Sequence, residues 1–124
     1  MKSRIFAALC VVALIIFPSL ATAADLTLAC SGVLRKDGTA SERNIYYEIE
    51  FFFATGAYRW FTRPGGVRTM SDEGSFTADN NEIVWAGYRI DRSSGDLIRK
   101  YKSQGASWTE YMNCAKIDGT GNRF

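Results

Sequence analysis

The 124-residue chain contains no histidine. That removes the usual base near neutral pH, the commonest metal ligand, and the partner of a serine or cysteine nucleophile. Cysteine is scarce, with three residues, and proline scarcer, with two. No stretch shows sustained helical periodicity, and there are no repeats or low-complexity segments. Gly65-Gly66 and Gly119-x-Gly121 lack the strand-to-helix setting that a phosphate-binding loop needs. Asp79, Glu82 and the asparagines between them match no calcium-loop spacing. No cofactor and no metal site is expected.

Charge of one sign is also missing, once the first residues are set apart. Lys2 and Arg4 precede an unbroken apolar run, Ile5 to Phe17. Pro18 ends any helix there, and Ala21-Thr22-Ala23 supplies small residues for a signal peptidase. This order reads as a secretory signal peptide over 1–23, followed by a single β-domain over 24–124. As an uncleaved anchor the run is broken early by Pro18, Ser19 and Thr22. As lipid-attachment sites, Cys10 lies inside the apolar run and Cys30 well beyond it. With the leader removed, 13 basic and 13 acidic residues remain. A neutral domain lacks the excess positive charge that drives general binding to nucleic acid or anionic membrane. The expected location is periplasmic or secreted, with no stable membrane insertion, no nucleic-acid partner and a monomeric state.

The leader also takes Cys10. Cys30 and Cys114 are left as an even pair in an oxidising compartment, which predicts a disulfide. A bridge closing that long loop contributes about 4.5 kcal/mol on the chain-entropy model.

The remaining sequence is patterned for strands. Ile45, Tyr47, Ile49, Phe51 and Phe53 alternate with Tyr46, Glu48, Glu50 and Phe52, which predicts a strand with one buried and one wetter face. Turn signals at Thr55-Gly56, Pro64-Gly65-Gly66, Asp79 to Glu82, Arg92 to Asp96 and Gln104-Gly105 divide the chain. About eight strands follow, near 26–35, 45–53, 58–63, 67–71, 74–78, 83–91, 97–103 and 107–117. The expected fold is all-β, an antiparallel meander closed into a barrel or flattened. Closure would make the first and last strands neighbours and place Cys30–Cys114 across the seam.

The run Ile90-Asp91-Arg92-Ser93-Ser94-Gly95-Asp96-Leu97, with Cys114 downstream, resembles a hairpin of small exported proteobacterial all-β proteins of barrel or lipocalin-like form. The resemblance implies an exported β-domain and assigns no activity.

Without histidine or free thiolates, carboxylates are the remaining catalytic candidates. Glu48 and Glu50 share a strand face at a separation compatible with a glycosidase pair, although a solvated strand face is the simpler reading. The aromatics divide between core and site. Trp85, Trp108, Phe51 and Phe53 are expected in the core, whereas Trp60, Trp85 and Trp108 lining a small apolar cup would suit a lipocalin-like carrier. Tyr58 to Arg68 interleaves arginines and aromatics around a turn. Arg59, Trp60, Phe61, Arg63 and Arg68 form the candidate interaction patch, unless the arginines pair with Glu48 or Glu50 across strands. Arg99-Lys100-Tyr101-Lys102 reads as a solvated strand. The function these residues point to is a non-enzymatic binding or interaction module, inhibitor-like in type, with an unidentified protein or small-molecule partner. A lipocalin-like carrier of a small apolar ligand is the alternative.

Overall fold

The computed structural model describes residues 23–118, 121, 123 and 124; the expected signal peptide, apart from Ala23, lies outside the described residues. Nine strands follow one another: β1 (Leu26–Lys36), β2 (Glu42–Phe52), β3 (Ala57–Thr62), β4 (Thr69–Ser75), β5 (Thr77–Ala78), β6 (Glu82–Trp85), β7 (Tyr88–Asp91), β8 (Asp96–Ser103) and β9 (Ala106–Lys116). A single 3-10 turn at Pro64–Gly66 joins β3 to β4. The sheet runs β4-β3-β2-β1-β9-β8-β7-β6-β5, and all its pairs are antiparallel. Its two ends, β4 and β5, are successive in the chain and separated by Phe76 alone. The sheet is therefore a nearly closed all-β barrel in which residues 69–78 bend across the remaining gap.

Two expected boundaries shift. Residues 83–91 form not one strand but the hairpin β6–β7. Ala86 and Gly87 both take positive φ, 44° and 82°, which is the twist a two-residue hairpin turn requires. Alanine rarely adopts that conformation, so the turn carries no strong sequence signal. Residues 67–71 and 74–78 become β4 and β5, divided at Phe76, whose side chain is buried.

The first and last strands meet, as expected for a closed sheet. Cys30 and Cys114 are direct register partners with Cα atoms 4.0 Å apart, and they are disulfide-bonded. Two residues on, Gly32 faces Met112. A Cβ at Gly32 would lie 1.8 Å from the Tyr111 carbonyl oxygen, so the backbones approach too closely there for any other residue.

The interior is filled by aromatic side chains in mutual contact. Trp85 touches Phe51, Tyr58, Trp60 and Tyr88, with ring centroids 5.2–6.0 Å apart. Phe51 meets Phe76 at 5.0 Å, and Trp60 meets Tyr47 at 4.4 Å and Tyr88 at 4.8 Å. Such offset and edge-to-face pairs add to the stabilisation from buried area. Leu28, Ile49, Ile83, Ile90, Leu97 and Met112 complete the core. Two expected core residues lie elsewhere: Phe53 is exposed beyond the end of β2, and Trp108 is half-buried near the start of β9.

The wall is uneven in height. β1, β2 and β9 have 11 residues each and β8 has eight, whereas β6 and β7 have four each. The rim on the short side is the Ala86-Gly87 turn, and β3 ends at Thr62. Register carries the end of β8, the start of β9, the end of β1 and the start of β2 past that level, so these segments stand as an open-fronted upper wall.

Candidate functional surfaces

Two faces of this barrel gather charged and aromatic side chains, one outside and one inside. The outer face is built on β2 and β3. Glu48 pairs in register with Phe61, and Glu50 with Arg59, so alternation directs all four outward. Glu48 is nevertheless only 2% exposed. The chain beyond β3 turns at Pro64–Gly66 and folds back across it, bringing an arginine from each side of the turn onto one carboxylate. Arg63 Nε donates to Oε2 and its Nη2 donates to Oε1 at 3.3 Å. Arg68 Nε donates to Oε1 at 3.0 Å and its Nη2 to Glu50 Oε2 at 3.3 Å. Tyr46 donates its hydroxyl to Glu48 Oε2 at 2.9 Å. The Arg63 hydrogen bond, joined by those from Tyr46 and Arg68, outweighs burial and holds the Glu48 carboxyl below its ordinary range. Arg68 also lies 3.6 Å above the Phe61 ring, and Arg59 lies 5.0 Å above that of Phe52.

Of the five residues in the sequence-derived patch, Arg59, Phe61, Arg63 and Arg68 stand together on this outer face. Trp60 does not. It points inward, 6% exposed, and is part of the aromatic core. Arg63 and Arg68 are engaged with Glu48 and Glu50, the cross-strand pairing foreseen for them. That engagement also occupies the Glu48–Glu50 carboxylate pair. Tyr46, Val67 and Met70 are exposed hydrophobics near these arginines along the sequence and register. A depression of about 400 Å³ adjoins the patch, lined by Asp25, Phe52, Ala54, Thr55, Ala57, Arg59 and Glu73.

The inner face belongs to the upper wall. Register sets Arg43, Leu34, Glu110 and Arg99 side by side across β2, β1, β9 and β8, in phase with the inward Cys30 and Cys114. One row further up stand Lys36, Trp108 and Tyr101. Below lie Ile45 and Tyr47. Arg99 sits between two rings, 4.6 Å from Tyr88 and 4.7 Å from Tyr101, and donates to the Tyr88 hydroxyl at 3.0 Å. Tyr88 in turn donates to Glu110 Oε1 at 3.4 Å, and Arg99 Nη1 is 3.8 Å from the same oxygen. Glu110 is 4% exposed, and its Oε2 has no hydrogen-bond partner among the described residues; neither has the buried Trp85 Nε1. Burial pushes the Glu110 carboxyl up, with Tyr88, Arg99 and Arg43 opposing, and burial raises the Tyr47 and Tyr88 hydroxyls as well.

Sequence reasoning missed this inner face. The signal was nonetheless present: Trp108 and Glu110 share the phase of Met112 and Cys114, and Arg99 and Tyr101 share that of Leu97. A charged residue in the core phase of a strand is the informative exception.

The described residues contain no group of acidic or cysteine side chains arranged to hold a metal ion and no helix long and apolar enough to cross a membrane. The disulfide is compatible with an oxidising compartment. In comparisons with protein-family models, curated proteins and solved structures, the chain matches none.

Proposed function

We propose that the domain is an exported, non-enzymatic interaction module whose contact surface is the outer face of β2–β4. The observation that carries this reading is the composition of that face: Arg59, Arg63 and Arg68 with Phe61 and Phe52 beneath two of them, and exposed Val67 and Met70 beside them. Arginine, aromatic and methionine side chains are the residues enriched where proteins bind one another. The ion pairs to Glu48 and Glu50 fix the Arg63 and Arg68 side chains in place, so little freedom is lost when a partner docks. The leader-like Met1 to Ala23, the resemblance to exported β-proteins and the disulfide support export to the periplasm or beyond. Glu48 supports the non-enzymatic reading, because a carboxylate held ionised by two arginines is poorly suited to donate a proton.

The carrier alternative is less well supported. Trp60 and Trp85, two residues of the supposed cup, pack against each other and against Tyr88 at ring-centroid distances of 4.8–6.0 Å.

The test uses the disulfide-bonded protein as bait for the exported fraction of its host, followed by reconstitution with the purified partner. Arg59→Ala and Met70→Asp are expected to weaken that complex at least about tenfold, or about 1.4 kcal/mol, with an unchanged melting temperature. Undiminished affinity in both variants would remove the outer face as the contact surface.

A further inference from the structure

The inner face of the upper wall has a composition that packing does not require. Inward positions of small barrels are normally filled by apolar side chains. Here the inward rows instead hold Lys36, Arg43 and Arg99, the rings of Tyr47, Tyr101 and Trp108, and Glu110 at their centre. Lys36 and Arg43 are exposed, and Trp108, Tyr101 and Tyr47 are half-buried. Beneath them the Arg99–Glu110 pair is incomplete. Its closest approach is 3.8 Å, and one oxygen of a carboxylate that is 96% buried is left without a donor. Buried carboxylate oxygens are ordinarily satisfied, and an orphan one is costly.

We infer that the inner face of the upper wall, made by Lys36, Arg43, Arg99, Tyr101, Trp108 and Glu110, is a binding site for an acidic carbohydrate. Two features of that chemistry match two features of the face. A pyranose ring presents a flat array of C–H bonds that packs on an aromatic plane, and Trp108 and Tyr101 are register neighbours offering two such planes. A sugar carboxylate suits the cations, which outnumber the single carboxylate three to one in these rows; arginine binds a carboxylate by paired N–H donors. Arg99 is held between Tyr88 and Tyr101, and Glu110 acts below it as a positioning residue. The open front above the Ala86-Gly87 rim gives an oligosaccharide access from the side. The site lies on the other face of the sheet from the proposed protein contact and shares only strand β2 with it, so each reading can fail without the other.

Isothermal titration of the disulfide-bonded protein with a galacturonic acid trimer tests this. Maltotriose, a neutral trimer, and inorganic phosphate are the comparison ligands. Saturable binding of the acidic trimer is expected, at least about tenfold tighter than either comparison ligand, and weakening as salt is added. Arg43→Gln and Lys36→Gln change exposed residues and leave folding intact; each is expected to weaken binding about threefold to tenfold. Trp108→Ala is expected to abolish it, with the fold checked by circular dichroism. Arg59→Ala, on the outer face, is expected to leave it unchanged. No heat of binding at millimolar acidic trimer would overturn the proposal. So would equal affinity for maltotriose or for phosphate, or full affinity in Arg43→Gln and Trp108→Ala.

Discussion

Glu48 and Glu110 are both buried carboxylates on one barrel, 2% and 4% exposed, yet their surroundings are opposite. Glu48 is on the outer face and is covered from outside by Arg63, Arg68 and Tyr46, with both of its oxygens accepting hydrogen bonds. Glu110 is on the inner face, where the wall itself buries it. One oxygen faces Tyr88 and Arg99 at long range and the other faces nothing among the described residues. Equal burial therefore does not mean equal roles. A saturated carboxylate fastens a loop; an under-saturated one marks a place that packing alone does not explain.

Replacing both Cys30 and Cys114 by serine removes the support common to the two faces and is expected to lower stability by about 4.5 kcal/mol. Thermal or urea unfolding measures it, and both faces should lose their properties together. Gly32→Val acts at the same seam, since its first side-chain atom would collide with the Tyr111 backbone. It is expected to cost at least about 3 kcal/mol, read from the same unfolding curves.

Glu48→Ala separates the two faces. It releases Arg63 and Arg68 and is expected to cost about 2 kcal/mol, the scale of losing charge-assisted hydrogen bonds at a buried carboxylate. Proteolysis within 63–68 should accelerate, because that carboxylate is what fastens the turn. Glu110→Gln should change stability at neutral pH by less, about 1 kcal/mol or under, because Glu110 makes long and incomplete contacts in which the neutral amide can substitute.

Protonation distinguishes the two without changing the sequence. The folded-state pKa of Glu48 is depressed, so its stabilisation is present above the unfolded glutamate value and is lost as pH falls through the depressed one. That of Glu110 is raised, so its favourable contribution is full below the unfolded value and is lost as pH rises through the raised one. Measured between pH 3 and pH 7, Glu48→Gln should flatten the rise of stability with pH. Glu110→Gln should steepen it. The groups facing Glu110 are Arg43 and Arg99, with the hydroxyls of Tyr47 and Tyr88, which burial raises.

Much of the barrel was legible in the sequence because a half-buried strand has a period of two. Ile45 to Phe51 showed it plainly, and Cys30 and Cys114 fell into register once the ends of the chain were assigned as neighbouring strands. The division of 83–91 was not legible, since Ala86 at positive φ breaks the rule by which turns are recognised. The outer cluster was half legible. Arg59, Phe61, Arg63 and Arg68 were placed on one patch, and cross-strand pairing with Glu48 and Glu50 was weighed. The burial of Glu48 was not foreseen, because it depends on a turn folding back from outside. Trp60 was assigned to the wrong face when the run of aromatics and arginines was taken as one patch; strand alternation sends it inward. The inner face stayed hidden because Arg99, Tyr101 and Glu110 look like solvated positions until the heights of the strands are known. Strand height depends on where β6 and β7 end, which is a property of the whole sheet.

Site-resolved titration of the side-chain carboxyls by NMR, on the disulfide-bonded protein, addresses the difference between the two faces most directly. The structure predicts that Glu48 titrates below the ordinary glutamate value and Glu110 above it, each identified by its glutamine variant. Titration of the two at the same pH, or in the reverse order, would contradict the assignment of Glu48 as the fastened carboxylate and Glu110 as the open one.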